Sequence, residues 1–214
     1  MNRRFLTLGT GALALAGFGA GALLWPGTDL AGPVPAGQDD RFVRPHSPVI
    51  GKPDAAVTLV EFFDPSCEAC RAFHPLLNRM LAQHAGQLRM VLRYAPFHEG
   101  SDEAVRILEA ARLQDRFEPV LDALFARQPD WAMHGAPDLE AAWRIAGIAG
   151  LDLPRARRDA RRPEIGRVLA IDGEDLQALQ VRQTPTFFVN GKPLLSFGPR
   201  QLYELILSEI EATG

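Results

Sequence analysis

Cys67 and Cys70 stand three positions apart, where a strand-like run ends and a helix-like run begins. No other feature of the 214-residue chain restricts its fold as much. Val57-Thr58-Leu59-Val60-Glu61-Phe62-Phe63 is β-branched and aromatic and reads as a buried strand. Asp64-Pro65-Ser66 breaks it, and a helix follows from about Cys67 to Gln83. Residues three apart share a helix face, so the two sulfurs can meet. The first lies at the helix N-terminus, where free N–H groups and the macrodipole favour an anion. Such a setting lowers a thiol pKa to about 3.5–7.5, and the thiolate is the attacking species. Cys67 is therefore the candidate nucleophile, and Cys70, one turn inward, the candidate resolving thiol. The pair has two other uses, an inert structural disulfide and half of a metal site. A c-type haem needs His after the second cysteine, and that position holds Arg71. A zinc site needs two further ligands, and His46, His74, His84, His98 and His134 show no paired ligand spacing.

The rest of the chain gives this pair its setting. Apolar residues make up 47% and charged residues 23%, a globular balance that excludes a disordered chain. Two cysteines exclude a disulfide scaffold. The net charge of −3 argues against nucleic acid as the main partner, because phosphate binding needs excess positive charge. Arg3 and Arg4 precede an uncharged, glycine-rich run from Phe5 to Trp25. Residues 1–25 read as a signal peptide or an N-terminal membrane anchor, with twin-arginine and general secretion both open as routes. With the arginines retained in the cytoplasm, the remainder lies outside it, in the periplasm or at the outer face of the bacterial inner membrane. An oxidising compartment makes the cysteines disulfide partners.

Residues 26–54 read as a linker or irregular lead-in, because Pro26, Pro33, Pro35, Pro45, Pro48 and Pro53 oppose helix and central-strand pairing. A domain over 55–214 follows. Leu88–Tyr94 reads as a second strand, and residues of about 100–180 are mostly helical. Phe117, Val120, Leu121, Leu124 and Phe125 make one apolar face, and Asp138 can cap a helix. Thr186–Asn190 reads as a strand, Asn190-Gly191 as a turn, and a short strand is expected around Leu194–Phe197. A last helix runs from Pro199 to about Ala212. The arginines at 155, 157, 158, 161, 162 and 167 read as a solvated helical face. His74 reads as a partly exposed helix residue, and Phe62, Phe63 and Phe73 as core.

Glu61-Phe62-Phe63-Asp64-Pro65-Ser66-Cys67-Glu68-Ala69-Cys70 resembles the active-site segment of DsbA-like thiol:disulfide oxidoreductases of the thioredoxin superfamily. Pro75 stands where thioredoxin-like active-site helices carry a kinking proline. Thr184-Pro185-Thr186-Phe187-Phe188-Val189-Asn190-Gly191 is similar to the family's cis-proline loop and following strand. The long helical stretch between the motifs resembles the domain inserted in DsbA-like proteins. The resemblance covers roughly residues 48–212. It implies an α/β thioredoxin fold, a central mixed sheet flanked by helices, with an inserted helical domain. It implies a Cys67–Cys70 redox pair and no bound cofactor or metal, and a Thr184-Pro185 loop that receives peptide substrates. It also implies a role for Glu61 as a buried acid that moves the proton of the resolving thiol. The partners implied are protein thiols and disulfides and a membrane redox protein, with the chain itself a monomer. A periplasmic copper-binding thioredoxin-fold protein is the alternative, since copper(I) favours thiolates. Glu68-Ala69 departs from the Pro-His of DsbA. A carboxylate beside Cys67 opposes a second negative charge, so a less acidic Cys67 is expected than in strong oxidases.

Overall fold

The structure, a computed structural model, describes residues 40–213. The expected signal or anchor at residues 1–25 lies outside the described residues. Among the described residues no helix is long and apolar enough to cross a membrane.

Five strands form one mixed sheet in the order β1-β3-β2-β4-β5. The strands are β1 (Val49–Ile50), β2 (Val57–Phe63), β3 (Leu88–Tyr94), β4 (Thr186–Val189) and β5 (Lys192–Pro193). The long β2 is central and buried on both faces, as its continuous apolar run requires. It pairs parallel with β3, through the crossover helix α1 (Glu68–Gln83), and antiparallel with β4. Pro75 lies inside α1. Between β3 and β4 come α2 (Ser101–Arg112), α3 (Phe117–Ala126), a 3-10 turn (Gln128–Asp130), α4 (Leu139–Ile148), α5 (Leu153–Asp159) and α6 (Pro163–Ala178). The chain ends with α7 (Pro199–Thr213). These elements supply the mixed sheet, flanking helices and helical insertion expected from the resemblance.

Alternation along β2 and β3 divides the core. Leu59, Phe63, Leu88, Met90 and Leu92 join Cys67, Cys70, Phe73 and Leu77 of the α1 side, and this cluster continues into α2–α5. The five apolar residues of α3 are all buried in it, and Asp138 caps α4 by accepting the Ala141 N–H at 2.8 Å. Val60, Phe62 and Val91 face the other way, against Phe42, Val43, Leu176, Val181 and Phe188.

Three local expectations change. Residues 26–39 of the expected linker or lead-in lie outside the described residues, and residues 40–54 are mostly irregular but packed: Phe42 and Val43 are buried, and β1 pairs antiparallel with β3. The prolines are tolerated because β1 is two residues long and sits at the sheet edge. The last strand comes two residues early, at Lys192–Pro193 rather than Leu194–Phe197. Asn190 and Gly191 both take positive φ, 48° and 79°, so a two-residue turn puts Lys192 directly opposite Val189. Leu195 and Phe197 are left exposed. His74 is buried, with Nε2 2.6 Å from Asp122 Oδ1 and its ring 4.9 Å from that of Phe125. The arginines of 155–167 are surface residues as expected, several paired with Asp159, Glu164 or Glu140.

Candidate active site

Cys67 is the N-cap residue of α1, in an extended conformation, and its carbonyl accepts the first helical bond from Arg71 N–H at 3.1 Å. Cys70 lies one turn in and is fully buried. Both are free thiols. The Thr184–Pro185 peptide bond is cis, and the Thr184 carbonyl lies 3.3 Å from Cys67 Sγ. Two motifs 117 residues apart in sequence thus meet at one sulfur.

The electrostatics separate the two thiols. The Cys67 pKa is lowered to about 5: the Cys70 side chain contributes most, burial opposes, and the side chain of Thr184 and the backbone of Cys70 and Ala69 contribute further hydrogen bonds. The backbone N–H groups are the donors that a helix N-terminus leaves free. DsbA reaches about 3.5. Cys70 moves the opposite way, pushed up by burial first, then by its bond to Cys67 and by the charge of Glu61. Glu61, on the α1 side of β2, is 3% exposed. Burial, followed by the charge of Cys67, raises its pKa to about 8. Glu68 keeps its charge instead. The helix N-terminal backbone lowers its pKa most, burial opposes slightly, and His134 Nε2 is 2.8 Å from its Oε1.

Several residues in this region carry no local signal in the sequence. Asp64, completely buried, accepts from Ser66 N–H (2.8 Å), Ser101 Oγ (2.5 Å), Phe97 N–H (2.7 Å), His98 N–H (2.9 Å) and His98 Nδ1 (2.7 Å). Gln128, in the 3-10 turn, donates from Nε2 to the Pro65 carbonyl (2.8 Å) and the Cys67 carbonyl (3.0 Å). It ties the helical region to the cysteine turn. Among the described residues no group of three or more His, Cys, Asp or Glu side chains is placed to hold a metal ion.

A helix-capping thiol above a buried partner thus faces a cis-proline loop on a mixed sheet. Known proteins share this architecture. The thioredoxin family model matches residues 44–206. The crystal structure of a thioredoxin-like oxidoreductase from Silicibacter pomeroyi DSS-3 is 30% identical, with a TM-score of 0.68, covering 78% of this chain and 94% of that one. BdbD from Bacillus subtilis has the same fold, with 24% identity and a TM-score of 0.68 over 77% of this chain and 93% of that one. A Na(+)/H(+) antiporter, NhaA 1 of Mycolicibacterium gilvum, is 32% identical over 195 residues, 86% of this chain and 30% of that protein. The chain thus spans 22–30% of the length of the curated relatives it matches. It belongs to the thioredoxin family, with the DsbA-like build in which helices are inserted between the Cys67–Cys70 and Thr184-Pro185 segments.

Proposed function

We propose that this chain is an exported thiol:disulfide oxidoreductase that exchanges disulfides with protein substrates through Cys67 and Cys70. The carrying observation is the meeting of a helix-capping Cys67 with the Thr184 carbonyl at 3.3 Å beside cis-Pro185. An extended substrate segment can pair with the Thr184 backbone and present its sulfur to Cys67.

In the oxidising direction a substrate thiolate attacks the Cys67 sulfur and breaks the Cys67–Cys70 bond. Cys70 leaves as a thiolate and takes a proton from Glu61, whose raised pKa keeps it protonated at neutral pH. The second substrate thiolate attacks the substrate sulfur of the mixed disulfide and expels Cys67 as the stable thiolate. The substrate loses two electrons and the cysteine pair gains them. Reduction of a substrate disulfide runs the same steps backwards, so redox poise and partner set the direction. The protein acts as a monomer, outside the cytoplasm, and a membrane redox partner restores its oxidation state.

Insulin reduction and dithiol-peptide oxidation test this directly. Wild type turns over and Cys67→Ala falls to background; equal rates refute the proposal. A copper(I) carrier would use the same thiolates. Metal titration of the reduced protein, run beside the turnover assay, separates the two uses.

A further inference from the structure

Glu68-Ala69 leaves the cysteine turn without an imidazole, and a carboxylate next to Cys67 works against its thiolate. The fold brings two imidazoles to the same place from distant parts of the chain. His98, in the loop after β3, is 2.7 Å from Asp64 Oδ2 through Nδ1. Asp64 is bound back to the cysteine turn, because its carbonyl accepts the Cys67 N–H at 3.0 Å. On its other side the His98 ring lies 5.7 Å from the ring of His134, which bonds to Glu68. His98 is therefore held between residues that flank Cys67 in the chain. Its side chain is 30% exposed, so solvent can protonate it.

We propose that the Asp64–His98 pair is the counter-charge of the Cys67 thiolate: Asp64 positions an imidazolium beside the sulfur in the reduced protein and makes the disulfide a stronger oxidant. This rests on the reading of Cys67 as the nucleophilic thiolate. An ionised carboxylate only accepts, so His98 Nδ1 carries hydrogen and Nε2 is the nitrogen whose protonation sets the charge. The groups around His98 are Asp64, bonded to it from the turn after β2, and His134, in the loop before α4 with its ring 5.7 Å away; the charges of Cys67 and Glu68, at the start of α1, also act on it. Three of these are anionic. Burial works to lower the His98 pKa, but Asp64, Cys67 and Glu68 outweigh it and the net direction is upward.

Oxidation removes one of the three anions. When glutathione disulfide oxidises the pair, the Cys67 thiolate displaces one glutathione, and Cys70 then displaces the other. The proton of Cys70 leaves, the Cys67–Cys70 bond forms, and two electrons pass to glutathione. His98 then holds its proton less tightly. Linkage requires reciprocity: the thiolate raises the His98 pKa by as much as the imidazolium lowers that of Cys67.

The test has two arms on the full chain. NMR titration follows the His98 ring in the oxidised and the dithiothreitol-reduced protein. Thiolate absorbance follows Cys67 in reduced wild type and in His98→Gln. The expected result is a His98 pKa higher by about half a pH unit or more in the reduced protein. A matching rise of the Cys67 pKa is expected in His98→Gln. A His98 titration identical in both redox states overturns the inference, and this arm needs no variant. An unchanged Cys67 titration in a His98→Gln protein that unfolds cooperatively overturns it too. If wild-type Cys67 instead titrates as an ordinary thiol, the nucleophile reading itself falls, and this inference with it.

Discussion

On one face of the sheet Glu61 is buried beside two sulfurs, and burial and the Cys67 charge both drive its carboxyl towards the neutral form. On the other face Asp172 is as deeply buried, yet it stays ionised. Burial works to raise its pKa there too. The His46 bond at 2.7 Å and Arg93 at 2.6 Å outweigh it, and its carboxyl is held below the usual range. Arg93 also reaches Asp175, which Arg44 holds from the lead-in at 2.7 Å. The sheet therefore separates two uses of buried charge. Paired charge behind β3 fastens α6 and residues 40–46 to the sheet, while the Glu61 carboxyl, without such pairing, is driven towards its neutral form.

The comparison breaks most severely at Arg93. Arg93→Met leaves two carboxylates short of a partner and is expected to cost about 3–5 kcal/mol in urea unfolding. The reduction potential of the cysteine pair should stay unchanged, because the lesion lies on the opposite face. Glu61→Gln is the reciprocal test. Between about 4.5 and 8 the folded protein binds the Glu61 proton and the unfolded chain does not, so this group's contribution to stability falls as pH rises through that window. Its slope is on the order of 1.4 kcal/mol per pH unit. Glu61→Gln should flatten that slope in denaturant titrations, be more stable than wild type above pH 8, and resolve mixed disulfides more slowly. Asp172 and Asp175 have the opposite sign: their contribution is present above the unfolded carboxylate pKa near 3.9 and is lost as pH falls through their lowered folded values. Acid unfolding monitored by circular dichroism should therefore fall below about pH 4 in wild type and shift upward in Asp172→Asn. Gln128→Met should have the smallest effect. It leaves the buried Pro65 carbonyl short of a donor, at about 1–3 kcal/mol in thermal unfolding.

The same division explains what could be read from the chain. β2, α1, β3 and α7 follow from apolar runs and periodicity, and the CxxC and Thr184-Pro185 signals are local motifs. The lead-in was harder to read because its strand is two residues long and its anchors are ion pairs, as in Arg44 with Asp175, 131 residues away. Arg89 and Arg93 alternate with apolar residues as a half-exposed strand would. The structure buries both, because the lead-in and α6 cover that face with acceptors such as the Pro53 carbonyl for Arg89 and Asp172 for Arg93. Asp64, His98 and Gln128 went unread for a related reason. Their partners lie 34 residues away for the Asp64–His98 bond and 61 for Gln128–Cys67, and no spacing rule connects positions that only the tertiary fold brings together.

Equilibrating the protein with glutathione redox buffers and trapping the thiols addresses the cysteine chemistry most directly. One two-electron transition is expected, with Cys67 and Cys70 oxidised together. Its midpoint should lie between about −270 mV for thioredoxin and −120 mV for DsbA, in line with a Cys67 less acidic than that of DsbA. Cysteines that remain thiols at every buffer ratio, or that take up glutathione independently without bonding to each other, contradict the account.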